Sequence, residues 1–253
     1  MTDRVKEFWN QRATFGVTAG TNDFMLTEIE QKFIASEVPK AARVLDIGCG
    51  NAMSLIKLAR ENNCTGVGID YAEGMVGIAR DRVMAEQLQE RIEIHHRQIP
   101  PVPNEWGPFD VVLSNRCLIN LKTTEQQREA VQSVAALLRS GGTYLMIECS
   151  WEGGEATNAL RALMGLERMD PPWHNLFFKE ADVESWQSKD FCIESLRHIS
   201  STYHFLSRVV YAKLAAERGE ELRYDSEINK LAIRLPQETG EFGPVKAWIW
   251  KKR

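Results

Sequence analysis

Val44-Leu45-Asp46-Ile47-Gly48-Cys49-Gly50-Asn51-Ala52 is the stretch on which the reading of this 253-residue chain turns. The run from Arg43 to Ile47 has the apolar content of a buried strand, and it breaks into Gly48-Cys49-Gly50. A helical pattern follows at once, with Leu55, Leu58 and Ala59 on one face. Strand, glycine turn and helix together open a nucleotide-binding α/β unit. The glycines let backbone pass close to a ligand without a Cβ in the way. The helix start offers N–H groups with no partner inside the helix.

The residues around this turn narrow the ligand. A dinucleotide site would prefer glycine at position 53, so that a pyrophosphate can lie on the helix end; Met53 stands there instead. The strand carries an acid, Asp46, just before the first glycine. A carboxylate suits a ligand with cationic groups, and S-adenosylmethionine has an ammonium and a sulfonium. A second acid, Asp70, ends the next apolar run, Gly66 to Ile69. It lies about 20 residues past Gly48, the usual spacing for an acid that grips ribose hydroxyls. Asp70 alone also fits a nicotinamide cofactor, so Asp46 and Met53 decide.

Val44 to Ala52, Gly66 to Met75, Phe109 to Leu121 and Leu138 to Glu148 resemble the successive motifs of class I S-adenosylmethionine-dependent methyltransferases. The resemblance covers Arg43 to Glu148 well and the two ends loosely. It implies a doubly wound, mostly parallel seven-stranded sheet, with S-adenosyl-L-methionine as cofactor and S-adenosyl-L-homocysteine as product. We expect one methyltransferase domain over residues 1–253. Within it, residues 1–40 form a helical arm and 41–150 the cofactor core. Residues 151–190 and 200–241 are insertions that cap the substrate.

Net charge is −4 and the pI is near 5.8, so nothing suggests broad attraction to nucleic acid or an anionic membrane. The five cysteines are dispersed, with no C-x-x-C pair, as expected of reduced thiols in a cytoplasmic protein. The stretch Met1 to Gln11 is polar, and no run of apolar residues is long enough to span a bilayer. His95 and His96 are adjacent on a short strand and point to opposite faces, so we expect no metal site.

Along the chain, Lys6 to Gly16 is similar to the N-terminal segment of many small-molecule methyltransferases, where an aromatic pair and an arginine close over the cofactor. On that resemblance Arg12 meets the methionine carboxylate, where a guanidinium forks well; the alternative is a solvated arginine on an anchored arm. Asn22 to Ser36 is a helix, with Met25, Ile29 and Phe33 every four residues. Tyr71 and Met75 flank the start of the next helix, and the family packs such residues on adenine. Gln98 and Ile99 stand where the family has an acidic residue and then an apolar one beside adenine, so Gln98 departs from the pattern. Ser114-Asn115-Arg116 ends the fourth strand, where ligands collect. Asn115 is assigned to the cofactor and Arg116 to the substrate; an exposed loop arginine is the alternative. Asn120 stands where many relatives have histidine, which puts a base there in doubt. Thr124 and Gln127 fit a capping box, and Gly141-Gly142 stops the helix from Thr124 to Leu138. Glu148 ends the fifth strand and either touches substrate or serves as a structural cap.

The insertions carry specificity. A helix is expected over Thr157 to Leu166. Asp170-Pro171-Pro172-Trp173 matches the amine-holding motif of adenine N6-methyltransferases in letters but not in place, and reads as a turn and aromatic anchor. Tyr203, Leu206, Val210 and Leu214 form one helical stripe, and Ile228, Leu231 and Leu235 another. Trp173 and Tyr203 offer stacking surfaces to a substrate. A high-pKa hydroxyl acceptor needs a base, for which His174, His204 and Glu148 are candidates; a neutral amine does not. The expected acceptor is a small molecule, such as a sugar or another polar metabolite, methylated on O or N. The rival readings are a nucleic-acid methyltransferase and a catalytically silent cofactor-binding subunit.

Overall fold

The computed structural model describes residues 3–253; Met1 and Thr2, at the head of the expected arm, lie outside the described residues. The strand β1 (Arg43–Ile47) has every residue after Arg43 buried. It pairs in parallel with β2 (Thr65–Asp70) on one side and β4 (Phe109–Asn115) on the other. β3 (Ile92–His96) extends the sheet beyond β2, and β5 (Leu138–Cys149) beyond β4. β7 (Val245–Lys252) then runs antiparallel between β5 and β6 (Phe191–Arg197). The order is β3-β2-β1-β4-β5-β7-β6, a seven-stranded, mostly parallel sheet as expected. The order reverses between β1 and β4, and in open α/β sheets a ligand crevice forms outside the carboxyl ends of the strands at such a point.

Helices cover the sheet. α1 (Arg4–Ala13) and α2 (Phe24–Glu37) precede it, and α3 (Met53–Glu61), α4 (Glu73–Ala85) and α5 (Thr124–Leu137) lie between strands. The core centres on the strands, with Leu45, Ile47, Ile69 and Tyr144 fully buried. β7 adds Trp248 and Trp250, and Trp250 stacks on Phe191 at 4.9 Å between centroids.

Three local expectations are corrected. α5 is capped one residue early: Thr123 Oγ1 accepts the Gln126 N–H at 3.2 Å, and Gln126 Oε1 accepts that of Lys122 at 3.0 Å. Gln127 faces inward instead, donating to the carbonyls of Leu118 and Leu176. The glycine pair does not stop this helix. Leu138 is already extended and pairs with Phe109, and Gly141-Gly142 falls in the irregularity before Val111 pairs with Thr143. In the first insertion, α6 (Trp151–Leu163) starts well before Thr157, because Ser150 Oγ caps it by accepting the Gly153 N–H at 3.0 Å. α7 (Glu180–Ser185) closes that insertion.

The second insertion runs through α8 (Ser201–His204), a π-helical segment (Phe205–Tyr211) and α9 (Ala212–Arg218) without a break; α10 (Glu227–Ala232) follows. The π-turn changes which side chains point inward. Ser207, Arg208, Ala212 and Ala215 are buried, whereas Leu206, Val210 and Leu214 of the expected stripe are half-buried. Among the described residues no helix is long and apolar enough to cross a membrane.

Candidate functional site

A cavity of about 630 Å³ opens at the carboxyl ends of β1, β2 and β4. One end is acidic. After β1 the chain turns through Gly48, at φ 71°, and both Gly48 and Cys49 donate their N–H groups to the Ile69 carbonyl. A Cβ on Gly48 would lie 2.2 Å from Cys117 Sγ, so the position excludes a side chain. A Cβ on Gly50 would meet nothing within 4 Å, and its backbone borders open space. Asp70 braces this turn: Oδ2 accepts the Gly50 N–H at 3.0 Å and Oδ1 that of Ala72 at 2.8 Å. Asp46, 2% exposed, has no hydrogen-bond donor among the described residues. Burial pushes its carboxyl up to about 7, and the charge of Asp70 adds to the rise. Tyr71 presents a buried hydroxyl with no partner among the described residues, and Met75 and Ile99 complete this wall.

The other end is organised by α2. Glu30 is wholly buried on this helix. Arg116 Nε lies 2.9 Å from Glu30 Oε1, and Arg116 Nη2 donates to Oε2 at 3.0 Å. Asn115 Nδ2 donates to the same Oε2 at 3.4 Å. Arg116 holds φ 50°, a left-handed conformation that a non-glycine residue keeps only when its surroundings enforce it. Burial raises the Glu30 pKa despite Arg116; burial likewise opposes charge on Arg116, but the charge and hydrogen bond of Glu30, with Cys149 and Asp23 acting in the same sense, together hold that guanidinium above its ordinary value. Asp23, which caps α2, accepts from Tyr203 Oη at 2.6 Å and pairs with Arg208. His204 donates Nδ1–H to the Ser200 carbonyl at 3.0 Å, because a carbonyl only accepts. This fixes the tautomer and leaves the Nε2 lone pair on the opposite ring edge. Burial and then Arg208 lower the His204 pKa to about 4.

α1 covers the mouth. Asn10 Oδ1 accepts the Gly74 N–H at 2.9 Å at the start of α4, and the Trp9 indole donates to Asn120 Oδ1 at 3.0 Å. Asn120 in turn donates to the carbonyls of Arg116 and Cys117, so its amide is committed to the turn. Arg12 donates to the carbonyls of Ala19 and Thr18 and to Asn22, with no carboxylate in reach among the described residues. His174 packs against Phe8 at 4.5 Å between centroids, with its Nδ1 buried and without a partner among the described residues.

Residues 44–142 match the family model described as a methyltransferase domain. The chain is 27% identical over 122 residues to EEF1A lysine methyltransferase 2 of Danio rerio, covering 46% of this chain and 52% of that protein. It is 30% identical over 174 residues to a ubiquinone biosynthesis O-methyltransferase of Roseobacter denitrificans, covering 64% and 65%. Residues 44–142 thus carry a methyltransferase domain, and the fold is that of S-adenosylmethionine-dependent methyltransferases. It spans about half the length of the curated relatives it matches. In fold it resembles a Haloferax volcanii protein solved in complex with the Trm112 methyltransferase activator. That match has a TM-score of 0.65 and 14% identity, and covers 100% of this chain and 98% of that one.

Against this methyltransferase frame, twelve of the residues singled out from sequence meet on the cavity wall. They are Arg12, Asp46, Gly48, Gly50, Asp70, Tyr71, Met75 and Ile99 around the acidic end, with Asn115, Arg116, His174 and His204 beyond. Four do not reach it. Glu148 is fully buried and accepts the N–H groups of Cys117, Leu118 and Ile119 at 3.2, 3.0 and 3.3 Å; it holds the turn after β4 rather than a substrate. Burial raises its pKa to about 7 against the pull of those bonds. Tyr203 is buried with its hydroxyl committed to Asp23. Trp173 is 59% exposed and sits outside, under the guanidinium of Arg4, whereas Asp170, Pro171 and Pro172 border the cavity. Gln98 faces solvent, with Arg97 and Ile99 on the wall in its place. Sequence reading missed Asp23, Glu30 and Arg208. Glu30 had a signal, since it falls four residues from both Leu26 and Ile34 on the inward stripe of α2, where a charge is out of place.

Proposed function

We propose that the chain is a methyltransferase that moves the methyl group of S-adenosylmethionine to an O or N atom of a small molecule. One observation carries the reading: a single cavity joins a buried carboxylate, Asp46, that has no hydrogen-bond partner among the described residues, to a second polar wall at Arg116 and His204. The bound cofactor supplies a methyl activated by sulfonium. An orphaned carboxylate and the open backbone at Gly50 fit its cationic groups and its close approach.

Asp46 is assigned to the cationic methionyl part and Asp70 to the ribose hydroxyls, with Tyr71, Met75 and Ile99 beside adenine. Arg12, whose charge has no carboxylate partner in reach, is assigned to the methionine carboxylate. The enzyme's main work is alignment, which supplies about 7–11 kcal/mol when geometry is good. His204 and His174 both stay neutral at pH 7, because burial lowers the pKa of each. Each therefore offers a ring nitrogen lone pair to an acceptor proton. The small-molecule reading draws support from the net charge of −4, the cavity of about 630 Å³ and the relative named for O-methylation in ubiquinone biosynthesis. The helical insertion over residues 200–241 is read as the substrate cap.

Calorimetric titration with S-adenosylhomocysteine tests the reading, with NAD as control. Micromolar binding of the first and none of the second is expected. Binding of NAD alone, or of neither, would overturn it.

A further inference from the structure

The end of the cavity beyond Asp46 is bordered by two guanidiniums, those of Arg116 and Arg208. Arg161, 8% exposed, lies off the cavity wall and against the backbone of Arg208, itself 6% exposed. Glu30 offsets Arg116, and Asp23 offsets Arg208. Arg161 has no carboxylate in reach among the described residues; it donates to the carbonyls of Glu167 and Arg208. At the rim, Asp170 and Glu155 share the exposed Arg168 and are screened by solvent.

The pairing geometry leaves donors unused. Arg116 turns Nε and Nη2 towards Glu30, with Nη2 making the hydrogen bond, and Nη1 has no protein acceptor among the described residues. Asp23 and Ser207 take one N–H each from the two ends of the Arg208 fork, and its guanidinium lies over Tyr224 at 4.4 Å. Both arginines border the cavity, and both are fixed from behind by carboxylates on one helix. A guanidinium fixed by some of its N–H groups with others left over is preorganised for a second oxyanion. The opposite end carries Asp46 and Asp70. The cavity is therefore polarised, acidic where a cationic methyl donor fits and basic where the acceptor enters.

Resting on the methyltransferase reading, we infer that the acceptor is a small molecule carrying a carboxylate, seated on the remaining N–H groups of Arg116 and Arg208. The neutral His204 beside them accepts a hydrogen bond and adds no competing charge. The same field repels an ammonium, which sets the site against alkylamine and lysine acceptors. Phe24 and Phe177 supply apolar wall around the charged group.

The test uses three probes of one shape and different charge: benzoate, benzyl alcohol and benzylamine. Each is titrated by ligand-observed NMR into the full chain, at fixed ionic strength, with and without saturating S-adenosylhomocysteine. Benzoate is expected to bind at least about tenfold more tightly than benzylamine, with benzyl alcohol between. The double variant Glu30→Gln/Arg116→Gln removes the pair without orphaning a charge, and is expected to lose the benzoate preference while still binding S-adenosylhomocysteine. Equal or tighter binding of benzylamine, no binding of any probe, or a preference that survives in the double variant would overturn the inference. If that variant does not fold, the wild-type comparison decides alone. Failure of S-adenosylhomocysteine to bind the wild-type chain would instead count against the methyltransferase reading, and the cofactor-free titrations would still read the basic end.

Discussion

The Trp9 indole on α1 donates to Asn120 Oδ1 in the turn after β4, two residues 111 positions apart and 3.0 Å from each other. The helix that covers the mouth of the cavity is thereby fastened to the turn that carries Arg116. Trp9→Phe keeps most of the ring and removes the donor. About 1 kcal/mol is at stake, so S-adenosylhomocysteine should bind roughly fivefold more weakly. An unchanged calorimetric affinity would show that the tie does not position α1.

Asp46 makes stability and binding pull in opposite directions. Its carboxyl titrates near pH 7 in the folded chain, well above the ordinary carboxylate range. A folded pKa above the unfolded one means that stability is lost as pH rises between about 4 and 7. Asp46→Asn abolishes that loss, so it should raise the melting temperature by several degrees at pH 8, the gain shrinking towards pH 4. The same variant should bind S-adenosylhomocysteine far less well. Wild-type affinity should climb from about pH 6 to 8 as the carboxylate ionises, and the variant's profile should be flat across that range. A variant that binds as tightly as wild type at pH 8 would remove Asp46 from the cofactor site.

Glu148 holds three backbone N–H groups in a place water does not reach. Glu148→Ala leaves all three without an acceptor and should cost about 3–5 kcal/mol, read as a shift in denaturation midpoint. Glu148→Gln keeps an accepting oxygen and should fall between. If Glu148 served as a general base, Gln would instead abolish turnover at unchanged stability.

Gly243 makes room for His204. It sits at φ 84°, and a Cβ there would lie 2.6 Å from His204 Cγ and Nδ1. Gly243→Ala should therefore cost about 2 kcal/mol or more, combining backbone strain with overpacking. The displaced ring should also change its NMR signals. A fully stable variant with unshifted His204 resonances would contradict this packing.

How much of this was legible in the sequence follows from range. Val44 to Ala52 is a local signal: an apolar strand, two glycines and a helix sit within a few turns, so the sheet and its acidic end can be read directly. The same holds for Asp70, whose role in bracing Gly50 goes with its spacing. The basic end is assembled from distant segments. Glu30 meets Arg116 across 86 positions and Asp23 meets Arg208 across 185, and no periodicity announces either pair. Glu148 misled for a related reason. A strand-end acid in a methyltransferase core suggests chemistry, and only the turn folded over it shows that three amides claim it. In the second insertion, a π-turn broke the period of four on which the expected stripe depended.

The position of β7 bears on how the molecule assembles. Its partners β5 and β6 do not pair with each other, and β7 lies between them although it follows both in sequence. Leu145 meets Ile249 about a hundred residues further along, a separation that slows strand docking. Until Val245 to Lys252 arrives, β5 and β6 each present an open edge flanked by apolar side chains. A chain truncated before Val245 would carry two adhesive edges, and its fate would be self-association rather than a smaller working enzyme.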